Sequence, residues 1–141
     1  MILYVDDEKS VPELYQAALR KIPETEVVLI RNADDAFDFV KKEKHRIKLI
    51  IIDLILPTTD KYDEDRTAKG MKTGWILYKD MKLLAPDVHY LFLTSLNYDI
   101  RMNLISDKTM EGLTFLEKRN TLPQELADVA KRILDPGLAS R

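Results

Sequence analysis

The chain has 141 residues, 45% of them hydrophobic and 33% charged, with a formal net charge of -2 at pH 7. These values predict a single globular domain over residues 1–141, and the absence of a basic stretch interleaved with aromatics argues against direct binding of nucleic acid. Cysteine is absent, which excludes disulfides and Cys-ligated zinc, and no apolar stretch approaches the roughly 20 residues that cross a bilayer. We therefore expect a cytoplasmic protein without a membrane segment.

Short apolar runs alternate with helical patterns along the chain, which predicts repeated strand-helix units. Predicted strands lie near residues 2–6, 26–30, 48–53, 88–94 and 113–117, and predicted helices begin at Ser10 and Thr121 and run near 33–43, 74–84 and 98–109. The first and last helices open on capping-box patterns, Ser10-Val11-Pro12-Glu13 and Thr121-Leu122-Pro123-Gln124. Five strands and five helices in strict alternation predict an α/β fold. It is a doubly wound parallel sheet of order 2-1-3-4-5 with helices on both faces, a flavodoxin-like three-layer sandwich.

Two of the apolar strands end in acid. Asp53 closes the run Leu49-Ile50-Ile51-Ile52, and burying its charge costs several kcal/mol or more unless the carboxylate is paired or lies at the strand's mouth. The first strand runs directly into Asp6, Asp7 and Glu8. Since chemistry in such sheets gathers at the carboxyl ends of the strands, beside the point where strand order reverses, these acids predict one pocket.

Further polar side chains follow the fourth and fifth strands at the same edge, namely Thr94 and Lys118. The carboxylates of Asp6, Asp7 and Asp53 would repel one another and take up a proton unless a cation offset their charge. A hard divalent ion with oxygen ligands, most plausibly Mg²⁺, meets that need. With the lysine and the hydroxyl, the set predicts a site for a group that bears several anionic oxygens, with Asp53 as the nucleophile.

These motifs together resemble the receiver domain of two-component response regulators, of the chemotaxis-regulator type. The resemblance rests on Ile2-Leu3-Tyr4-Val5-Asp6-Asp7-Glu8, on Asp53 with Pro57 four residues later, on Thr94-Ser95, and on Phe115 three residues before Lys118. It covers nearly the whole chain. It implies one signalling phospho-acceptor domain over residues 1–141, with no output domain after the last helix, and not an enzyme in the ordinary sense.

The resemblance implies a role for each acid. Asp53 is the phospho-acceptor, which takes a phosphoryl group from a histidine of a kinase or of a histidine phosphotransfer protein. Asp6 and Asp7 are the acidic pair that binds Mg²⁺, together with Asp53 and the backbone carbonyl of Ile55. Of the pair, Asp7 is the better candidate for a direct ligand of the ion.

The resemblance also implies a switch. Lys118 pairs with the phosphoryl group, the hydroxyl of Thr94 moves toward it, and Phe115 swings inward in the active state. Phosphorylation then biases a two-state surface near the fourth and fifth strands, which an unknown downstream protein or a second copy of the chain recognises.

Several positions depart from the family pattern. The glycine that follows the third strand corresponds to Gly74, which stands behind a charged insertion through residues 58–66. We expect that insertion to be a mobile, solvated loop that borders the site. The residue after the lysine is commonly proline, often after a cis peptide, whereas this chain has Arg119.

Ile55 and Leu96 are apolar where many receivers carry polar side chains, and we expect them to hinder the water that hydrolyses the phosphoryl group. Ile55 also bears on the alternative functions. Mg²⁺-dependent phosphatases and hydrolases with an aspartyl nucleophile usually carry a second acid at that position, which disfavours an enzyme of that class. The third interpretation, a receiver-like scaffold that is never phosphorylated, is disfavoured because the acids, hydroxyl and lysine are all present.

Overall fold

A computed structural model describes residues 1–105 and 112–137. In those residues five strands alternate with five α-helices, and a short 3-10 helix at Lys118–Asn120 follows the last strand. The strands are β1 (Ile2–Val5), β2 (Val27–Ile30), β3 (Leu49–Ile52), β4 (His89–Thr94) and β5 (Thr114–Glu117). The helices are α1 (Val11–Arg20), α2 (Ala33–Glu43), α3 (Thr73–Leu84), α4 (Tyr98–Leu104) and α5 (Pro123–Leu134). None of the described helices is both long and apolar enough to span a bilayer.

The strands form one parallel sheet of order β2-β1-β3-β4-β5, so the predicted doubly wound topology is confirmed. The register brings the strand ends level, because Val5 pairs with Ile52 and Ile52 pairs with Phe92. Thr94 pairs with Glu117 at the next step across the sheet. The residues that follow β1, β3, β4 and β5 therefore meet at one edge.

The sheet separates two hydrophobic clusters, as the continuous apolar character of its central strands predicts. Alternate residues of β1 face opposite sides: Leu3 and Val5 pack with residues of α2 and α3, while Ile2 and Tyr4 pack with residues of α1 and α5. All four residues are completely buried. Burial on both faces makes β1 and β3 a rigid base for whatever side chains follow them.

Helix α4 covers only part of its predicted range. It ends at Leu104, and residues 106–109 of the predicted helix lie outside the described residues. Its start is capped by Asn97, whose side chain accepts a hydrogen bond of 2.9 Å from the backbone N–H of Ile100. This contact satisfies one of the free N–H groups of the first turn.

The predicted capping boxes are wrong at both ends of the chain. Ser10 precedes α1 but makes no side-chain cap, because its backbone lies in the helical region (φ -115°, ψ -35°) where the hydroxyl does not reach the next turn. The residue before α5 is Leu122 and not Thr121. There the Glu125 side chain accepts a 3.4 Å hydrogen bond from the Leu122 N–H, so an acid three residues later supplies the contact.

The insertion between β3 and α3 is largely exposed, as predicted for a solvated loop, but it is anchored at several side chains. Tyr62 is completely buried, and its hydroxyl donates to Asp80 of α3 at 3.0 Å. Arg66 binds the same carboxylate through two contacts of 2.9 and 3.0 Å. The ammonium of Lys61 lies 3.2 Å above the ring of Phe37 in α2, a cation-π contact. The insertion is therefore tied to both helices on its side of the sheet.

Replacing Tyr62 with phenylalanine removes only the hydroxyl that contacts Asp80. We expect the free energy of unfolding to fall by about 1 kcal/mol, the usual contribution of one such hydrogen bond. The loss stays small because Arg66 still pairs with the carboxylate. Urea denaturation measures it, with Tyr98→Phe as the control because that side chain is 59% exposed. An equal loss in both variants would contradict the anchoring role.

Candidate functional site

Three acids lie together at the carboxyl edge of the sheet. One carboxylate oxygen from each of Asp6, Asp7 and Asp53 lies within 4.8 Å of the others. Asp6 and Asp53 are buried, with 0% and 2% of their surface exposed, while Asp7 is exposed. The Asp53 N–H donates to the carbonyl of Val5 at 3.0 Å, so the strand ladder fixes its backbone one residue beyond β3. The structure thus brings the three predicted acids together at this edge.

Lys118 places its ammonium among these carboxylates. Its Nζ lies 2.8 Å from Oδ2 of Asp6 and 2.8 Å from Oδ2 of Asp53, with 3.0 Å to Oε1 of Glu8. Only 8% of the lysine side chain is exposed. One cation thus bridges two buried carboxylates across β1 and β3.

The electrostatics of the site are set by burial and by this bridge. Burial raises the pKa of Asp53 to about 6, against the opposing attraction of the Lys118 ammonium. Burial by itself lowers the pKa of Lys118, but attraction by Asp53 and Asp6 outweighs it, so this pKa lies above its usual value. Burial also raises the pKa of Asp7. The lysine remains charged near neutral pH, and its charge offsets part of the free-energy cost of burying Asp53. Because it offsets only part of that cost, the site can accept a further cation.

Hydrogen bonds from neighbouring residues orient the carboxylates of Asp6 and Asp53. The hydroxyl of Tyr4 donates to Oδ2 of Asp6 at 2.7 Å, and the N–H of Glu8 donates to Oδ1 at 3.1 Å. The N–H of Ile55 donates to Oδ1 of Asp53 at 3.2 Å. Each buried acid is therefore held at both of its oxygens. Tyr4 and Lys118 share Oδ2 of Asp6, and Lys118 contacts Oδ2 of Asp53.

Gly74 brings the start of α3 against the backbone of Asp53. Its N–H donates to the carbonyl of Leu54 at 2.9 Å, and a β-carbon at this position would lie 1.9 Å from the backbone oxygen of Asp53. Real β-carbons do not approach so closely. A glycine is required here, which agrees with the sequence match of Gly74 to the glycine after the third strand of receivers.

The two predicted switch residues lie on neighbouring strands. Thr94 ends β4, is completely buried, and accepts a 3.2 Å hydrogen bond from the N–H of Leu96 through its hydroxyl oxygen. Phe115 of β5 stacks on Phe92 with ring centroids 4.7 Å apart. The guanidinium of Arg101, a buried residue of α4, covers the Phe115 ring at 4.8 Å. The hydroxyl and the aromatic ring are thus joined to the start of α4.

The residues at this edge fit a divalent cation. A cluster of carboxylate oxygens is the donor set that Mg²⁺ and similar hard ions prefer. Asp6, Asp7 and Asp53 would hold the ion. The carbonyl of Ile55, two residues after Asp53, is the predicted backbone ligand.

Four contacts at the site were missed by the sequence prediction. Tyr4 could have been found, because side chains two residues apart on a strand share a face and Asp6 continues that face. Glu8 adjoins the acidic pair in sequence. No local signal points to Tyr15, which reaches the Lys118 loop from α1, or to Arg101 above Phe115.

The peptide after Lys118 is trans and begins the 3-10 helix.

Comparison with known proteins identifies the fold. A CheY-like receiver domain protein from Methanospirillum hungatei is 20% identical with a TM-score of 0.71, and the match covers 99% of this chain and 97% of that one. The BeF3-activated receiver domain of Klebsiella pneumoniae RstA is 25% identical with a TM-score of 0.70, over 95% and 97%. The Thermotoga maritima response regulator DrrB is 18% identical with a TM-score of 0.69; the match covers 96% of this chain and 52% of DrrB, so the chain spans about half of it.

No protein-family model and no curated protein sequence matches the chain. The match to solved structures therefore carries the comparison, and it agrees with the five-stranded sheet order described above. The chain has the fold of response regulator receiver domains.

Proposed function

We propose that the chain is a phospho-accepting receiver domain of a two-component or phosphorelay system. The observation that carries this proposal is the bridge of one buried ammonium, Lys118, between Asp53 and Asp6 at the carboxyl edge of the sheet. Phosphoryl transfer requires a nucleophile and fixed positive charge near the phosphoryl oxygens. A carboxylate nucleophile, a lysine ammonium and two further acids meet that requirement. The donor is a phosphohistidine of a kinase or of a histidine phosphotransfer protein.

In the proposed transfer a carboxylate oxygen of Asp53 attacks phosphorus in line with the bond to the donor's imidazole nitrogen. The new P–O bond forms as the P–N bond breaks, and the imidazole leaves. Lys118 lies 2.8 Å from the attacking carboxylate and is placed to pair with the phosphoryl oxygens. Mg²⁺ held by Asp6, Asp7 and Asp53 supplies charge neutralisation to the same oxygens when bound.

The proposed output is a change of surface. Thr94 and Phe115 lie at the ends of a path that includes the start of α4, because Leu96 contacts the threonine and Arg101 covers the aromatic ring. A phosphoryl group that draws the Thr94 hydroxyl toward Asp53 removes the acceptor of the Leu96 N–H. The surface over α4 and β5 then changes, and a downstream protein in the cytoplasm, or a second copy of the chain, reads the change.

Incubation with Mg²⁺ and acetyl phosphate, followed by intact-mass measurement, tests the function. We expect one added phosphoryl group on the wild type and none on Asp53→Asn. Asp38→Asn is the matched control, since Asp38 is an exposed acid of α2. Continuous release of phosphate without an adduct would favour an aspartyl-nucleophile hydrolase. A folded protein with neither adduct nor phosphate release would favour a scaffold, and either result would overturn the proposal.

Ile55 is expected to lengthen the life of the phosphorylated state. Its side chain is apolar and partly buried two residues after Asp53, so it offers a hydrolytic water no hydrogen bond. We expect Ile55→Asn to lose phosphate about tenfold faster, a change of about 1.4 kcal/mol in the barrier. The decay of the adduct after removal of acetyl phosphate measures the rate, with Ile55→Val as the apolar control. Equal or slower loss from the asparagine variant would contradict this role.

A further inference from the structure

The loop that carries Lys118 is held from below by a residue of another element. Tyr15 of α1 directs its hydroxyl at two backbone carbonyls, at 2.7 Å from Thr121 O and 3.1 Å from Lys118 O. These carbonyls stand at the two ends of the 3-10 helix, which begins at Lys118 and is followed by Thr121. The tyrosine is 4% exposed, so its contacts are shielded from water. One hydroxyl therefore ties the start and the end of the loop to the body of the protein.

The same ring belongs to a short chain of contacts beneath the site. Tyr15 meets Tyr4 edge to face, with centroids 6.4 Å apart and planes at 89°. Tyr4 in turn donates to Asp6 at 2.7 Å. The two packed tyrosines thus position two groups. Tyr4 holds the carboxylate of Asp6, and Tyr15 holds the backbone of the loop that carries Lys118. The ring packing limits how far either hydroxyl moves.

The contact between Tyr15 and the backbone of Lys118 becomes important when Asp53 carries a phosphoryl group. Lys118 is held at its Nζ by Asp6, Glu8 and Asp53 in the structure described above. Phosphorylation of one oxygen of Asp53 forms an acyl phosphate, which removes the negative charge from the carboxyl group and places new oxygens beyond it. The side-chain contacts of Lys118 are then exchanged, whereas its backbone contact with Tyr15 is independent of the exchange.

We propose that Tyr15 is a positioning residue whose hydroxyl fixes the backbone of Lys118, so that the ammonium meets the phosphoryl group on Asp53. This inference rests on the proposed function. Tyr15 acts through Lys118 and touches neither the donor nor Asp53. A purely structural role in the core, where the Tyr15 ring packs beside Leu19 and Leu126, would need the ring but not the hydroxyl.

The experiment compares Tyr15→Phe with Tyr90→Phe. Tyr90 is a matched control because it is 7% exposed and its hydroxyl also donates to a backbone carbonyl, that of Ala85, at 3.0 Å. It lies near the start of β4, at the opposite end of the strand from Thr94. We expect Tyr15→Phe to slow phosphorylation by acetyl phosphate about tenfold and Tyr90→Phe to change it less than about twofold.

Two further readouts separate positioning from structure. In the metal-free protein, hydrogen exchange of the Thr121 amide, which donates to Lys118 O, is expected to accelerate in Tyr15→Phe and not in Tyr90→Phe. In the background Lys118→Met, Tyr15→Phe should leave the phosphorylation rate unchanged, because residues that act as one unit are not additive. A further loss in that background would overturn the inference.

The proposed function and this inference fail differently. If wild type takes up no phosphoryl group, the receiver function fails. If wild type is phosphorylated and Tyr15→Phe is phosphorylated at the wild-type rate, only the positioning role fails.

Discussion

Replacement of Lys118 by methionine is expected to lower the free energy of unfolding of the metal-free protein by about 3 kcal/mol near pH 8, because it leaves two buried carboxylates without their cation. Lys118 contacts Asp6 and Asp53 at 2.8 Å each, and these acids are 0% and 2% exposed. Methionine fills a similar volume, so lost charge and not lost packing dominates. Urea denaturation in the presence of a chelator measures the change.

The loss is expected to shrink as the pH falls. Asp53 has a folded-state pKa of about 6, raised by burial above its ordinary value of 3.8. An acid with a raised pKa binds more protons in the folded than in the unfolded state between these values, so stability rises as the pH falls through the folded pKa. Without the ammonium of Lys118 that pKa rises further, and protonation near pH 5 relieves the variant more than the wild type.

Two variants control this prediction. Lys42→Met removes an exposed lysine of α2 and should change stability by less than about 0.5 kcal/mol. Asp53→Asn in the Lys118→Met background removes one of the unpaired charges and should recover part of the loss. A loss of equal size near pH 5 and pH 8 would show that charge is not the cause.

Gly74→Ala is expected to destabilise the fold by about 3 kcal/mol or more, although alanine is by itself the better helix former. The added β-carbon would lie 1.9 Å from the backbone oxygen of Asp53 and 2.9 Å from the α-carbon of Leu54. Backbone cannot yield as a flexible side chain does, so α3 and the end of β3 must move apart. The shift displaces Asp53, the proposed acceptor, and phosphorylation by acetyl phosphate should fall with stability.

Leu83→Ala is the control for the same helix, because Leu83 is 86% exposed and its truncation should be nearly neutral. Urea denaturation and the rate of adduct formation are measured on both variants. Wild-type stability of Gly74→Ala would contradict the close approach of α3 to Asp53.

The sequence predicts the sheet and its acidic edge because the signal is local. An apolar run ended by an acid, as at Asp53, is visible without any knowledge of its neighbours. The order 2-1-3-4-5 then brings the strand ends together. The strand limits differ from the prediction by about one residue. At the ends of β1 and β3 the reason is that Asp6 and Asp53 continue the ladder through single backbone contacts.

Contacts between distant segments were beyond prediction. Tyr15 and Lys118 are 103 residues apart, and a tyrosine in a helical stripe predicts core packing and no more. Tyr62 is one aromatic residue among charged ones, so hydrophobic periodicity gives no sign that it is buried. The failed cap at Ser10 has a different cause: a favourable residue type was present, but the backbone angles place its hydroxyl away from the first turn.

Asp53 itself is the proposed acceptor of the phosphoryl group. Borohydride reduces an aspartyl phosphate to homoserine and leaves free carboxylates unchanged, so it marks the acceptor permanently. After phosphorylation with Mg²⁺ and acetyl phosphate, reduction and peptide mass spectrometry should find homoserine at position 53 and at no other acid, Asp6 and Asp7 included. Homoserine at another position, or none in a protein that is folded, would contradict the claim.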